Sequence, residues 1–107
     1  MKIIDPAAIA ASAVAANPKR PATAIAHDDP DARLVAFRIE PGQEVRPHTS
    51  TSAVLLSVVS GRGVASGPEG EHPVGAGDIV IYGRGELHGM RATAEQLVIL
   101  AVITPRP

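Results

Sequence analysis

Apolar residues in the second half of this chain come in short runs, each closed by glycine or proline. The run Ala53 to Ser60 ends at Gly61-Arg62-Gly63, Ile79 to Tyr82 ends at Gly83-Arg84-Gly85, and Gln96 to Thr104 reaches Pro105. Between them, Val64 to Ser66, His72 to Val74 and Leu87 to Ala92 read as further short strands, with turns at Gly67-Pro68-Glu69-Gly70 and Gly75-Ala76-Gly77-Asp78. Upstream, Leu34 to Ile39 is a strand ended by Glu40-Pro41-Gly42. Val45 to Ser50 is another, in which Pro47 restricts hydrogen bonding to an edge or a bulge. Turn signals recurring about every 8–12 residues are the mark of an all-β sandwich or barrel. The runs 53–60, 79–82 and 97–103 are apolar on both alternating faces, which predicts burial on two sides, one of them by a second copy of the chain.

The first thirty residues follow a different period. Residues 5–17 predict a short helix, with Asp5 as N-cap, Pro6 in the first turn and Asn17-Pro18 as the stop. Its interior is mostly alanine, which favours helix but buries little, so the helix needs a surface to lie on. The alternative is a partly disordered arm. Residues 22–26 predict an edge strand, and His27-Asp28-Asp29-Pro30-Asp31 a polar turn. The expected division is an arm over 1–30 and a β-barrel over 31–107.

Composition narrows the function classes. The chain has 107 residues, enough for one domain, and 45% of them are apolar. With one Phe, one Tyr and no Trp, branched aliphatics and alanine must fill the core. A net charge of −1, no basic run and no aromatic platform argue against nucleic acid and against anionic membrane. The absence of cysteine excludes disulfides, thiolate metal sites and thiol nucleophiles, and fits a cytoplasmic protein. Asp5 and Pro6 interrupt the only N-terminal stretch that resembles a signal peptide, and no stretch approaches the ~18–20 apolar residues that cross a bilayer.

Two histidines carry the candidate chemistry. His48 sits in the frame Gly42, His48, Ser50, Val54, Gly61, and His88 in the frame Gly77, Gly83, Gly85, His88, Ala92. The glycines have local reasons, Gly61 and Gly63 permitting a hairpin turn with positive φ and Gly83 and Gly85 a corner. In spacing, the two frames resemble the paired motifs of a small single-domain cupin of the cupin-2, RmlC-like type. That resemblance covers about residues 34–104. It implies an all-β fold, a double-stranded β-helix (cupin jelly-roll barrel) with a short N-terminal helix. It further implies that His48 and His88 point into one barrel mouth as ligands of a divalent metal such as Zn, Ni, Mn or Fe. The remaining ligand positions of the family pattern hold Ser50 and Val54, so the ligand set is incomplete, and Ala92 stands where the pattern has asparagine. Zinc and facial-triad iron sites take three protein ligands. Glu44, Glu86 and His72 are the residues from which a third would have to come.

Strand alternation places Arg46, His48 and Ser50 on one face, and His88 and Met90 on one face of another strand. The expected ligand pocket is therefore Arg46, His48, Ser50, His88 and Met90, and the Arg46 guanidinium would suit a carboxylate or phosphate. Tyr82, the one phenol, would act as a general acid only if it faced inward beside an imidazole. His27 and His72 lie in loop settings that predict surface residues. No phosphate loop or nucleophile elbow appears. The expected protein is a homodimer that binds a small, anionic or neutral molecule in its barrel. The alternatives are a metal-dependent oxygenase- or isomerase-type enzyme using both histidines, and a scaffold whose barrel serves only dimer contacts.

Overall fold

The computed structural model describes residues 1–107. Nine strands follow one helix: α1 (Pro6–Ser12), β1 (Ala22–Asp28), β2 (Arg33–Ile39), β3 (Glu44–His48), β4 (Ala53–Ser60), β5 (Arg62–Gly67), β6 (Gly70–Gly75), β7 (Ile79–Tyr82), β8 (His88–Ala92) and β9 (Leu97–Thr104). They form two antiparallel sheets, one ordered β1-β2-β9-β4-β7 and the other β3-β8-β5-β6. The sheets face each other across the core without closing into one continuous hydrogen-bonded barrel.

Alternation along the strands makes the core. Val54, Leu56 and Val58 of β4 and Leu97, Ile99 and Ala101 of β9 turn inward from the larger sheet. Ala65, Met90 and Ala92 meet them from the smaller one. On the outer face α1 lays Ala10 against Ala36 and Val98, with Ile9, Val59 and Leu100 around them. The first strand is an edge strand of the larger sheet, paired with β2 from Ala22 to Asp28.

The helix is shorter than the 5–17 expected. Asp5 caps it as predicted, its carboxylate accepting from the Ala8 amide at 3.2 Å, but Ala13 is already extended. The reason is Arg38 on β2. Its guanidinium donates to the carbonyls of Ala10 (2.6 Å), Ala11 (3.1 Å) and Ala13 (3.0 Å), taking the acceptors that another helical turn would have used. Gly61 has the positive φ expected of it (+83°), but Gly63 does not. Gly63 lies within β5, where a side chain would run into the Arg91 carbonyl and, at 2.7 Å, the Leu97 side chain. Its small size answers a close approach rather than a turn.

Candidate functional site

The candidate site lies between the sheets, where the ends of β3 and β8 come together. Val45 opposes Met90 and His48 opposes His88, so two residues of β3, Arg46 and Pro47, stand where β8 supplies one, Gly89. That is a β-bulge, and both partners explain it. Pro47 has no amide to give to the ladder, and any side chain on Gly89 would sit 2.9–3.0 Å from the backbone of Val45 and Pro47. The extra residue reverses the alternation, so Val45 and His48 line the cavity on either side of Arg46 and Pro47.

The cavity has a volume of about 250 Å³. Phe37, Val54, Leu56, Met90, Ile99, Ala101 and Ile103 give it apolar walls, and His48, Thr49, Ser50 and His88 supply its polar side chains. Of the five pocket residues expected from sequence, His48, Ser50, His88 and Met90 line it. Arg46 does not; it lies in an open groove on the other side of β3. Strict alternation had placed it inside, and the bulge puts it out.

The two imidazoles pack together, ring centroids 4.2 Å apart and planes tilted by 57°. His88 is buried and His48 stands exposed at the rim. Each Nδ1 lies against a backbone carbonyl two residues earlier, His48 on Arg46 at 2.9 Å and His88 on Glu86 at 3.1 Å. A carbonyl oxygen only accepts, so in both rings Nδ1 carries the proton and Nε2 is the free nitrogen, an acceptor while the ring is neutral. Burial holds the His88 pKa below the usual imidazole value. Its carbonyl hydrogen bond opposes that shift, and repulsion from His48 reinforces it.

Other titratable candidates are engaged elsewhere. The Glu86 carboxylate accepts from the Gly83 amide at 2.6 Å, Glu44 is exposed opposite Arg91, and His72 is exposed on β6. Ser50 Oγ accepts from the Ser52 amide at 3.1 Å, and Val54 is a buried aliphatic wall. No group of three His, Cys, Asp or Glu side chains that would hold a metal ion occurs. Two imidazoles with no third ionisable ligand do not fit the three-ligand metal site that the family pattern implies. Tyr82 is buried with its ring 5.3 Å from that of His88, but its hydroxyl donates to the Ser66 carbonyl at 2.7 Å and it does not line the cavity. Burial raises its pKa above that of a free phenol. His27 lies within β1, paired with Leu34, rather than in the turn expected, and its Nε2 is 2.7 Å from Asp29, away from the site.

Sequence reasoning missed Val45, Thr49 and Gly89 as site residues. The signal was Pro47 within a strand, already marked for an edge or bulge but not carried through to its consequence for which neighbours face inward.

An antiparallel double-stranded β-helix with two histidines converging at one mouth defines the class. A family model described as a cupin domain matches residues 35–103, and the chain belongs to that family. Among solved structures it is similar to the TT1209 protein of Thermus thermophilus, at 24% identity and a TM-score of 0.88 over the full length of both chains. It is also similar to an uncharacterized double-stranded β-helix protein of Klebsiella pneumoniae, at 23% identity and a TM-score of 0.85, over 98% of this chain and 90% of that one. A third, from Thermotoga maritima and described as a predicted oxalate decarboxylase, shows 25% identity and a TM-score of 0.76 over 80% of this chain and 81% of that one. No functionally curated protein matches the sequence. No helix is long and apolar enough to cross a membrane.

Proposed function

We propose that this cupin binds a small molecule in the cavity between its sheets, with an apolar body against the aliphatic walls and a hydrogen-bond donor on the free Nε2 atoms of His48 and His88. The observation that carries the reading is the pair of oriented imidazoles at the end of a largely apolar cavity of about 250 Å³. Backbone carbonyls fix both rings before any ligand arrives, which lowers the ordering cost of binding. Side-chain ¹⁵N spectra of the histidines, recorded while a panel of small alcohols, acids and sugars is added, test it. Shifts of both Nε2 signals with saturable dependence are the expected result. A panel that moves neither ring would sink the proposal.

The second reading, a metal-dependent enzyme of oxygenase or isomerase type, draws support from the same two Nε2 atoms. Metal-bound histidines commonly donate their other ring nitrogen to a carbonyl. The missing third ligand weighs against it, and the fold hosts unrelated activities. Metal analysis of the untagged protein separates the two. Stoichiometric Zn, Ni, Mn or Fe that disappears in His48→Ala would establish the metal reading.

The partner we propose is a second copy of the chain. On the outer face of the larger sheet, Leu34, Val102, Leu55 and Ile81 form one cross-strand row that α1 leaves uncovered, and Ile81 is 71% exposed. It lies on an edge strand, β7, that contains no charge. Light scattering should give a dimer at micromolar concentration that Ile81→Lys converts to monomer; a monomeric wild type would refute this.

A further inference from the structure

Beside the cavity, on the outer side of β3, runs an open groove of about 550 Å³ lined by Lys19, Arg20 and Arg46. Val45 and His48 are walls of both the groove and the cavity. The three cations are exposed and none has a carboxylate within ion-pairing distance, although every other arginine of the chain except Arg62 and Arg84 is paired. Glu44 is the one acidic residue in the lining.

The chain builds this groove from two distant segments. Asn17 bends the backbone, its side chain accepting from the Lys19 amide at 2.9 Å and its carbonyl from the Arg20 amide at 3.0 Å. Gln43 then fastens that turn to the barrel. Its amide nitrogen donates to the Pro18 carbonyl at 3.0 Å while its oxygen accepts from the Glu40 amide at 2.9 Å. Lys19 and Arg20 are thereby held across from Arg46, which the bulge has turned outward. Three cations around one groove, with Glu44 the only acidic residue in its lining, leave an excess of positive charge there that a bound anion would offset.

We propose that the groove holds the anionic head of the ligand whose apolar body fills the cavity, so that the ligand class is a small amphipathic hydroxycarboxylate lying across His48, its hydroxyl donating to the imidazole Nε2. This deepens the binding role proposed above and rests on it. The residues beyond His48 divide the work: the cavity selects the size of the apolar body, and the groove selects the charge.

2-Hydroxyhexanoate and 1,2-hexanediol share a chain and a hydroxyl donor and differ in the carboxylate, so they separate the two parts. Calorimetric titration of the full chain should show the hydroxycarboxylate binding about tenfold tighter than the diol, with the preference shrinking as salt is raised. The double variant Arg20→Ala/Arg46→Ala should lose that preference and keep the diol affinity. Neither side chain makes a hydrogen bond or ion pair, so the variant should unfold at the wild-type temperature, and the salt series on wild type stands as a variant-independent check. Equal affinities for the two probes, or a preference unchanged in the double variant, would overturn the groove while leaving the cavity reading intact. Binding of neither probe would overturn both.

Discussion

Truncating one leucine on the cavity wall and one in the closed core measures whether the cavity is open in solution. Leu56 and Leu97 are both buried strand residues of the same core, at 5% and 0% exposure. Leu56 borders the cavity of about 250 Å³, whereas Leu97 faces Ile39 and Gly63 and does not. Leucine to alanine removes three carbons, a transfer loss of about 2.4 kcal/mol at either site. The closed site must add a cavity term. A void on the order of 80 Å³ at about 24 cal/mol per Å³ adds about 2 kcal/mol. At Leu56 the side chain already lacks neighbours on one face and the new space joins a cavity whose rim is the exposed His48, so fewer contacts are lost and water can enter. The expected costs are therefore about 3 kcal/mol for Leu56→Ala and about 4–5 kcal/mol for Leu97→Ala. Urea denaturation with the slope held common to all three proteins reads the difference. Saturating hexanol should then stabilise all three proteins through the cavity, and Leu56→Ala by more than wild type or Leu97→Ala, because its cavity is the enlarged one. Equal costs, or a larger one at Leu56, would mean that the cavity collapses in solution and that no ligand space exists there.

Three further outcomes follow from named contacts. Gly61→Ala should cost at least about 3 kcal/mol, combining the left-handed strain of about 1–2 kcal/mol with a methyl driven into the Gln96 backbone. Gly77→Ala, at φ +94° with nothing near its side, should cost only the strain, and equal losses at the two sites would contradict this. Arg38→Ala should cost about 1.5–3 kcal/mol and expose the helical amides of residues 9–12 to hydrogen exchange while the sheets stay protected; unchanged exchange would mean that Arg38 does not hold the helix down. His88 has a folded-state pKa below its unfolded value, so the unfolded chain takes up its proton first. Its contribution to stability is present above the unfolded pKa, near 6.5, and falls as pH drops toward the folded one. His88→Asn should flatten that part of the stability profile, and an unaltered slope would show that His88 is not its source.

The sheet framework was legible because turn chemistry and two-sided apolar runs are local signals. β4 over 53–60 and β7 over 79–82 coincide with the expected strands, and the turn expected at Gly75-Ala76-Gly77-Asp78 forms, with Asp78 accepting from the Gly75 amide at 2.8 Å. The end of α1 was not legible, because what stops the helix is Arg38, distant in sequence and arriving only with the tertiary fold. The role of Gly63 was misread for a similar reason. A glycine that admits a neighbouring strand and one that turns the chain look the same until the neighbour is known.

Arg46 shows how one residue's insertion decides what a site can bind. With unbroken alternation its guanidinium would share the cavity with His48, and burying that charge without a carboxylate partner would cost several kcal/mol. Pro47 and Gly89 together allow the bulge that turns it out, and the cavity keeps walls that carry no permanent charge. The same bulge leaves His48 as the shared wall of the apolar cavity and of the cationic groove. Any ligand that uses both must therefore be amphipathic and must pass the imidazole. Deleting Pro47 would set Arg46 opposite Gly89 in a regular ladder and keep Val45 and His48 on the inner face, so the variant should still bind hexanol in the cavity; loss of that binding would mean that His48 needs the bulge to face inward.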